Sequence, residues 1–214
     1  GSHILNTTGT AMGTATAAAA AVAANGVTVE ADLALTTNKG TATAISYAVG
    51  ADAKTIAAAI NTAASNIGIT ATATNSATLG NLASAGTVSM TLNGSSVSAV
   101  VTDKSDLSSF AAAINGLQST TGVTASFATP GDKSVITLST TDGRDITGVD
   151  FNNTGATKTA DIVAGTTTRT LTGGAATDST TITGTIELAS SAGQITAGNG
   201  NADVFGTSVS AFSS

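Results

Sequence analysis

Apolar residues recur along this chain at two spacings. Alternation marks Val27 and Val29, Leu33 and Leu35, the run Thr43, Ile45, Tyr47 and Val49, then Val88, Met90 and Leu92, and Val97, Ala99 and Val101. A period of two predicts strands with one face inward. Steps of three and four mark Ala53, Ile56, Ile60 and Ala63, and again Leu107, Phe110, Ile114 and Leu117. That spacing predicts amphipathic helices, from about 52 to 67 and from about 105 to 117, each laying one stripe on a flat surface. Further strands are predicted over 69–74, 123–127, 135–138 and 146–151. Turn signals separate them at Asn25-Gly26, Asn38-Lys39-Gly40, Asn93-Gly94 and Pro130-Gly131. The alanine-rich entry, 4–24, reads as a loosely held segment: alanine's helix propensity would allow a short helix, but nothing there anchors one firmly.

The two helices belong to a repeat. Ala58-Ala-Ile-Asn61 with Gly68-Ile-Thr-Ala71 returns as Ala112-Ala-Ile-Asn115 with Gly122-Val-Thr-Ala125, and Asn61 and Asn115 lie the same 54 residues apart as Gly68 and Gly122. Asp52 and Asp106, or Ser105 beside the latter, suit helix starts, and Gly68 and Gly122 suit left-handed stops. Each copy reads strand, strand, helix, strand. The second copy continues into a fourth strand, Ile136-Thr-Leu138, followed by Gly143 and Ile146, which the first copy lacks. Its counterpart comes late, as Ile186-Glu-Leu188 followed by Gly193 and Ile195. Insertion of one copy into the other explains the displacement. The expected organisation is a discontinuous inner domain, 1–79 with 155–214, and an inserted outer domain, 80–154. The expected class is α+β, with two small β-rich domains that each pack one helix on an antiparallel sheet.

Composition narrows the function. Ala, Thr, Ser and Gly make up roughly three-fifths of the 214 residues, whereas 9% are charged and 3% aromatic. A hydrophobic fraction of 41% and a single proline argue for folding rather than disorder. The net charge is −6, and the seven basic residues are scattered, which disfavours nucleic acid or an anionic membrane as partner. Without cysteine there is neither a disulfide framework nor a thiolate metal site. No apolar run reaches the length of a membrane span, and no amino-terminal basic-then-apolar signal is visible. Gly1-Ser2-His3 resembles the remnant of a cleaved expression tag, which sets the only histidine aside.

Catalysis would have to rest on carboxylates or a Ser-Lys pair, with Glu30 and Glu187 the only glutamates. The densest charged cluster, Asp142-Gly143-Arg144-Asp145, reads as an exposed turn. Two aspartates three apart with arginine between them do not make a calcium site, which takes six to eight oxygens. Asp103, Lys104 and Asp106 read as a helix start. Asn61 and Asn115 are read as amides that bond backbone near the helix end. No catalytic, cofactor or metal residue is therefore expected, and the chain is expected not to be an enzyme. Asn6-Thr-Thr8, Asn93-Gly-Ser95 and Asn152-Asn-Thr154 fit the N-glycosylation pattern, which is weak in so threonine-rich a chain.

The pairs Ile60-Asn61 with Gly68-Ile-Thr-Ala71 and Ile114-Asn115 with Gly122-Val-Thr-Ala125 resemble the flagellin IN motif of the outer, variable region of bacterial flagellins. Tyr47-Ala-Val-Gly-Ala-Asp-Ala-Lys54 and the stretch from Thr183 to Gly206 are similar to flagellins of the Pseudomonas type. The resemblance makes Ile60, Asn61, Gly68, Ile114, Asn115 and Gly122 structural motif residues. It implies an excised surface portion of a flagellin, lacking the long terminal core helices and monomeric by itself. It further implies an extracellular place on the filament surface, with other flagellin subunits as partners and host receptors, antibodies or phage as further contacts. Similar motifs occur in filament-cap and hook-associated proteins. A different class, an adhesin or carbohydrate-binding module, would need aromatic platforms, and Tyr47 is the one tyrosine in a chain without tryptophan.

Overall fold

The computed structural model describes residues 3–206, together with the backbone of 209–210 and 212–213; Gly1 and Ser2, read above as resembling a tag remnant, lie outside the described residues. The chain begins with β1 (His3–Asn6) and then runs extended to β2 (Glu30–Thr37) and β3 (Gly40–Tyr47). Helix α1 (Ala53–Ala64) and a 3-10 turn (Ser65–Ile67) lead into β4 (Ile69–Gly80). The second copy follows as β5 (Gly86–Leu92), β6 (Ser95–Val101), α2 (Ser108–Asn115), the one-turn α3 (Gln118–Thr121), β7 (Thr124–Thr129), β8 (Asp132–Thr140) and β9 (Ile146–Asn153). The hairpin β10 (Thr159–Ala164) and β11 (Thr167–Thr172) comes next, then β12 (Thr180–Ile182), β13 (Thr185–Ser190), β14 (Thr196–Gly198), β15 (Val209–Ser210) and β16 (Phe212–Ser213).

The α+β class expected from the periodicity is not what forms. Strands hold 47% of the chain and helices 13%, arranged as three antiparallel sheets with two helices longer than one turn among the described residues. The protein is mostly β. Three stretches account for the difference. The alanine-rich entry forms no helix but lies extended against β12, with Ala19 and Ser179 exchanging backbone bonds and Thr16 N donating to the Thr181 carbonyl. Tertiary partners override the weak intrinsic preference of alanine. β4 does not stop at Thr74 but continues to Gly80 in a regular alternation of buried and exposed positions, its small inward residues flanked by outward hydroxyls. Residues 159–182 add three strands, β10 to β12, beyond the late strand that the repeat predicts at Ile186–Leu188. The first hairpin also departs from simple alternation: Ala44 takes φ +57° at a bulge, so Ala42, Ile45 and Tyr47 turn inward while Thr43 and Val49 face solvent.

The two copies are nonetheless built alike. Ala71 stands opposite Leu188 and Ala73 opposite Ile186 in the β4–β13 pair, as Ala125 stands opposite Leu138 and Phe127 opposite Ile136 in the β7–β8 pair. The late strand β13 thus occupies in the first unit the place of β8 in the second. Each unit then returns to its own hairpin, through β14 against β2 and through β9 against β5.

Two hydrophobic cores result. One gathers Leu33, Leu35, Ile45, Ile56, Ile60, Ile69, Leu188 and Phe205; the other gathers Val88, Leu92, Phe110, Ile114, Ile136, Phe151, Ile162 and Leu171. By core membership the first unit leaves at Ala73 and resumes at Ile186. Ala160, Ile162, Ala164, Leu171 and Ile182, which the repeat alone assigns to the inner domain, are buried in the second core. β4 serves both: Ile69, Ala71 and Ala73 face the first core, Ala77 and Leu79 the second.

Candidate functional site at the junction of the two units

The motif asparagines close a local structure in each unit. Asn61 Nδ2 donates to the Ala71 carbonyl at 2.9 Å while Ala71 N donates to Asn61 Oδ1 at 2.7 Å. Asn115 and Ala125 repeat both bonds at the same two distances. The partner is therefore the strand ten residues on, not the helix end expected from local capping. The reason lies in the sheet. Ala71 and Ala125 turn their N–H and C=O away from β13 and β8, toward an edge with no neighbouring strand, and the carboxamide supplies there the donor and acceptor of a missing peptide. Ile60 and Ile114, one residue before, are fully buried and hold the helix against the same strand. Gly68 (φ +87°) and Gly122 (φ +75°) reverse the chain between helix and strand. Asp52 caps α1 by accepting from Thr55 N at 2.8 Å, whereas Asp106 accepts from Ser108 N and α2 starts at Ser108, later than expected.

The cluster Asp142-Gly143-Arg144-Asp145 is not an exposed turn. It leaves the second unit at the end of β8 and packs onto β4 where the first unit ends. Gly143 is buried, with φ +83°, and a Cβ there would stand 2.3 Å from that of Ala73. Gly184 approaches equally closely, its ideal Cβ 2.5 Å from the Thr74 carbonyl oxygen. Asn75, 4% exposed, donates from Nδ2 to the carbonyls of Arg144 and Ile182. Lys54 of α1 reaches Asp142 at 3.4 Å, and Asn25 donates to Asp145 Oδ2 at 2.9 Å. Asn93 donates to the carbonyls of Thr121 and Asp145, and Arg144 to that of Thr121. The turn thus ties α1, the entry segment, β4 and the second unit's own hairpin together. A cleft of about 220 Å³ opens beside it, lined mainly by Gly13, Thr74, Asn75, Ser76, Thr183 and Gly184.

The electrostatics are divided within four residues. The Arg144 guanidinium, bonded to both oxygens of Asp142, holds that carboxyl well below the usual range, and Lys54 adds to the effect. Burial instead pushes Asp145 up to about 6; the Asn25 amide opposes the shift and the neighbouring Asp52 charge adds to it. A carboxyl raised in the folded state binds its proton more tightly there than in the unfolded chain. Its contribution is therefore complete below the ordinary carboxylate pKa and lost as pH rises through about 6. The loss is about 2 kcal/mol once solvent access to the partly exposed group is allowed for. Asp145→Asn should raise the thermal midpoint at pH 7.5 relative to the parent and abolish that gain at pH 4. Thermal melts of the two proteins across this range measure it, and an equal difference at both pH values would contradict the assignment.

Asn25, Asn75, Asn93 and Gly184 were not legible as junction residues. Asn25-Gly26 and Asn93-Gly94 signalled turns, and nothing in the local pattern showed that their amides would cross between elements. Tyr47 is buried at 7% exposure, with its hydroxyl toward Asn201 at 3.5 Å, so its ring offers no face to a sugar. Burial, with the Glu30 charge nearby, pushes its phenol upward. His3, set aside with the tag remnant, pairs with Ser190 as part of β1. Among the described residues no group of three or more His, Asp or Glu side chains could share a metal ion, and no helix is long and apolar enough to cross a membrane. No protein-family model and no curated protein matches the chain.

Proposed function

We propose that this chain is a structural, surface-exposed module of the bacterial flagellar filament, from the variable region of a flagellin. The observation that carries the reading is the repeated clamp. The Ile-Asn and Gly-x-Thr-Ala elements of the resemblance are the residues that close each unit, by the same pair of bonds in both copies. A second feature suits display rather than chemistry: the two units are joined through the continuous strand β4 and a braced turn instead of a flexible linker, which gives a stiff projection. In this reading the module lies outside the cell, its neighbours are other flagellin subunits, and its outer face meets antibodies, phage or host receptors.

Antibodies raised against this chain test the proposal by immunogold labelling of the bacterium that produces it. Gold is expected along the whole length of extracellular filaments. Labelling confined to the filament tip or the hook would move the chain to a cap or hook-associated protein, and labelling of the cell body alone would overturn the flagellar reading.

A further inference from the structure

Four asparagines of the chain precede glycine: Asn25, Asn93, Asn115 and Asn199. In that dipeptide the following backbone nitrogen lies open to the asparagine side-chain carbonyl, because glycine carries no Cβ to shield it. The four sites nevertheless stand in different surroundings.

Three of the four amides are committed on both sides. Asn25 donates to Gly50, Ala51 and Asp145 while its oxygen accepts from Val27 N. Asn93 donates to Thr121 and Asp145 while its oxygen accepts from Thr147 N. Asn115 is held by both clamp bonds to Ala125. Swinging any of these carbonyls toward the next nitrogen breaks at least two hydrogen bonds. Asn199 differs from them: it is exposed, lies past the end of β14 with φ +61°, and its side chain makes no hydrogen bond among the described residues.

We propose that Asn199 is the site of spontaneous deamidation in this protein, and that the fold protects the other three. The Gly200 backbone nitrogen bonds to Asn199 Cγ and gives up its proton as the side-chain nitrogen leaves as ammonia, forming a five-membered imide. Water then opens the imide at either carbonyl, leaving aspartate or isoaspartate. The product alters a working segment. Asn201, two residues on, donates its backbone N–H to buried Glu30 at 3.1 Å and accepts from Val204 N through its side chain. Isoaspartate inserts a methylene into the main chain just before that anchor, beside a carboxylate. The inference is independent of the filament reading.

The test is to age the folded chain at mildly alkaline pH, alone and in concentrated urea, and to follow all four sites by peptide mass mapping. In the folded chain Asn199 should convert at least about tenfold faster than the other three, equivalent to an opening cost of about 1.4 kcal/mol at each protected site. In urea the four rates should fall within about threefold of one another, because local sequence alone then governs them. Conversion of Asn25, Asn93 or Asn115 in the folded chain as fast as that of Asn199 would overturn the proposal. So would an Asn199 as slow as those three in the fold but reactive in urea.

Discussion

Replacing Asn61 or Asn115 by alanine is expected to destabilise the protein by about 2–4 kcal/mol in either position. Each substitution removes two hydrogen bonds and leaves the N–H and C=O of Ala71 or Ala125 facing a free edge from which the helix excludes water. Such orphaned backbone groups cost about 1–3 kcal/mol each, more than the bonds themselves contribute net. Chemical denaturation at neutral pH measures the change. A loss below about 1 kcal/mol would mean that water reaches the edge and that the clamp is incidental. Aspartate makes a sharper probe. Its carboxylate still accepts from the backbone N–H but sets negative charge against the carbonyl that the amide nitrogen had served. The aspartate variants should therefore be weaker than the parent at pH 7 and recover part of the loss on acidification, as the protonated carboxyl regains a donor.

Gly143→Ala is expected to cost about 3 kcal/mol, or roughly 6–12 °C in thermal midpoint for a chain of this size. Two effects add. The left-handed backbone disfavours any residue with a Cβ by about 1–2 kcal/mol, and the new methyl would stand 2.3 Å from that of Ala73, on a strand paired there with β13. The turn must withdraw from β4, and the bonds from Asn75, Asn25 and Lys54 withdraw with it. Calorimetry should also show the melt of the variant broadening or dividing, because the turn then no longer braces the two cores against each other. A variant melting within about 1 °C of the parent as a single transition would show that the junction tolerates separation.

In the proposed filament role both results bear on stiffness. A projecting module transmits the position of its outer unit only if the connection to the inner one resists bending. Here the connection is a strand with an uninterrupted hydrogen-bonded ladder and a turn whose glycine lets two backbones meet. Serine and threonine on the outward positions of β4, with Thr185 and Glu187 on β13, keep that surface hydrated.

The pattern along the chain already contained the repeat, the positions of both helices, the hairpins that precede them and the late return of the fourth strand. These are local or periodic properties: side-chain direction repeats every two residues in a strand and every three or four in a helix, and a copied motif keeps its spacing. It also showed that Asn61 and Asn115 occupy one structural role, though not what that role was, since a carboxamide bonds helix end or strand edge equally well. The tertiary structure alone decided the balance toward β, because an alanine-rich entry takes whichever conformation its neighbours satisfy. It alone placed 159–182 with the second core and turned Asp142-Gly143-Arg144-Asp145 from a surface loop into a joint. A turn of four polar residues carries no record of what it will meet; only the arrival of β4 beneath it, with an alanine at the point of closest approach, makes its glycine indispensable and its second aspartate hard to ionise.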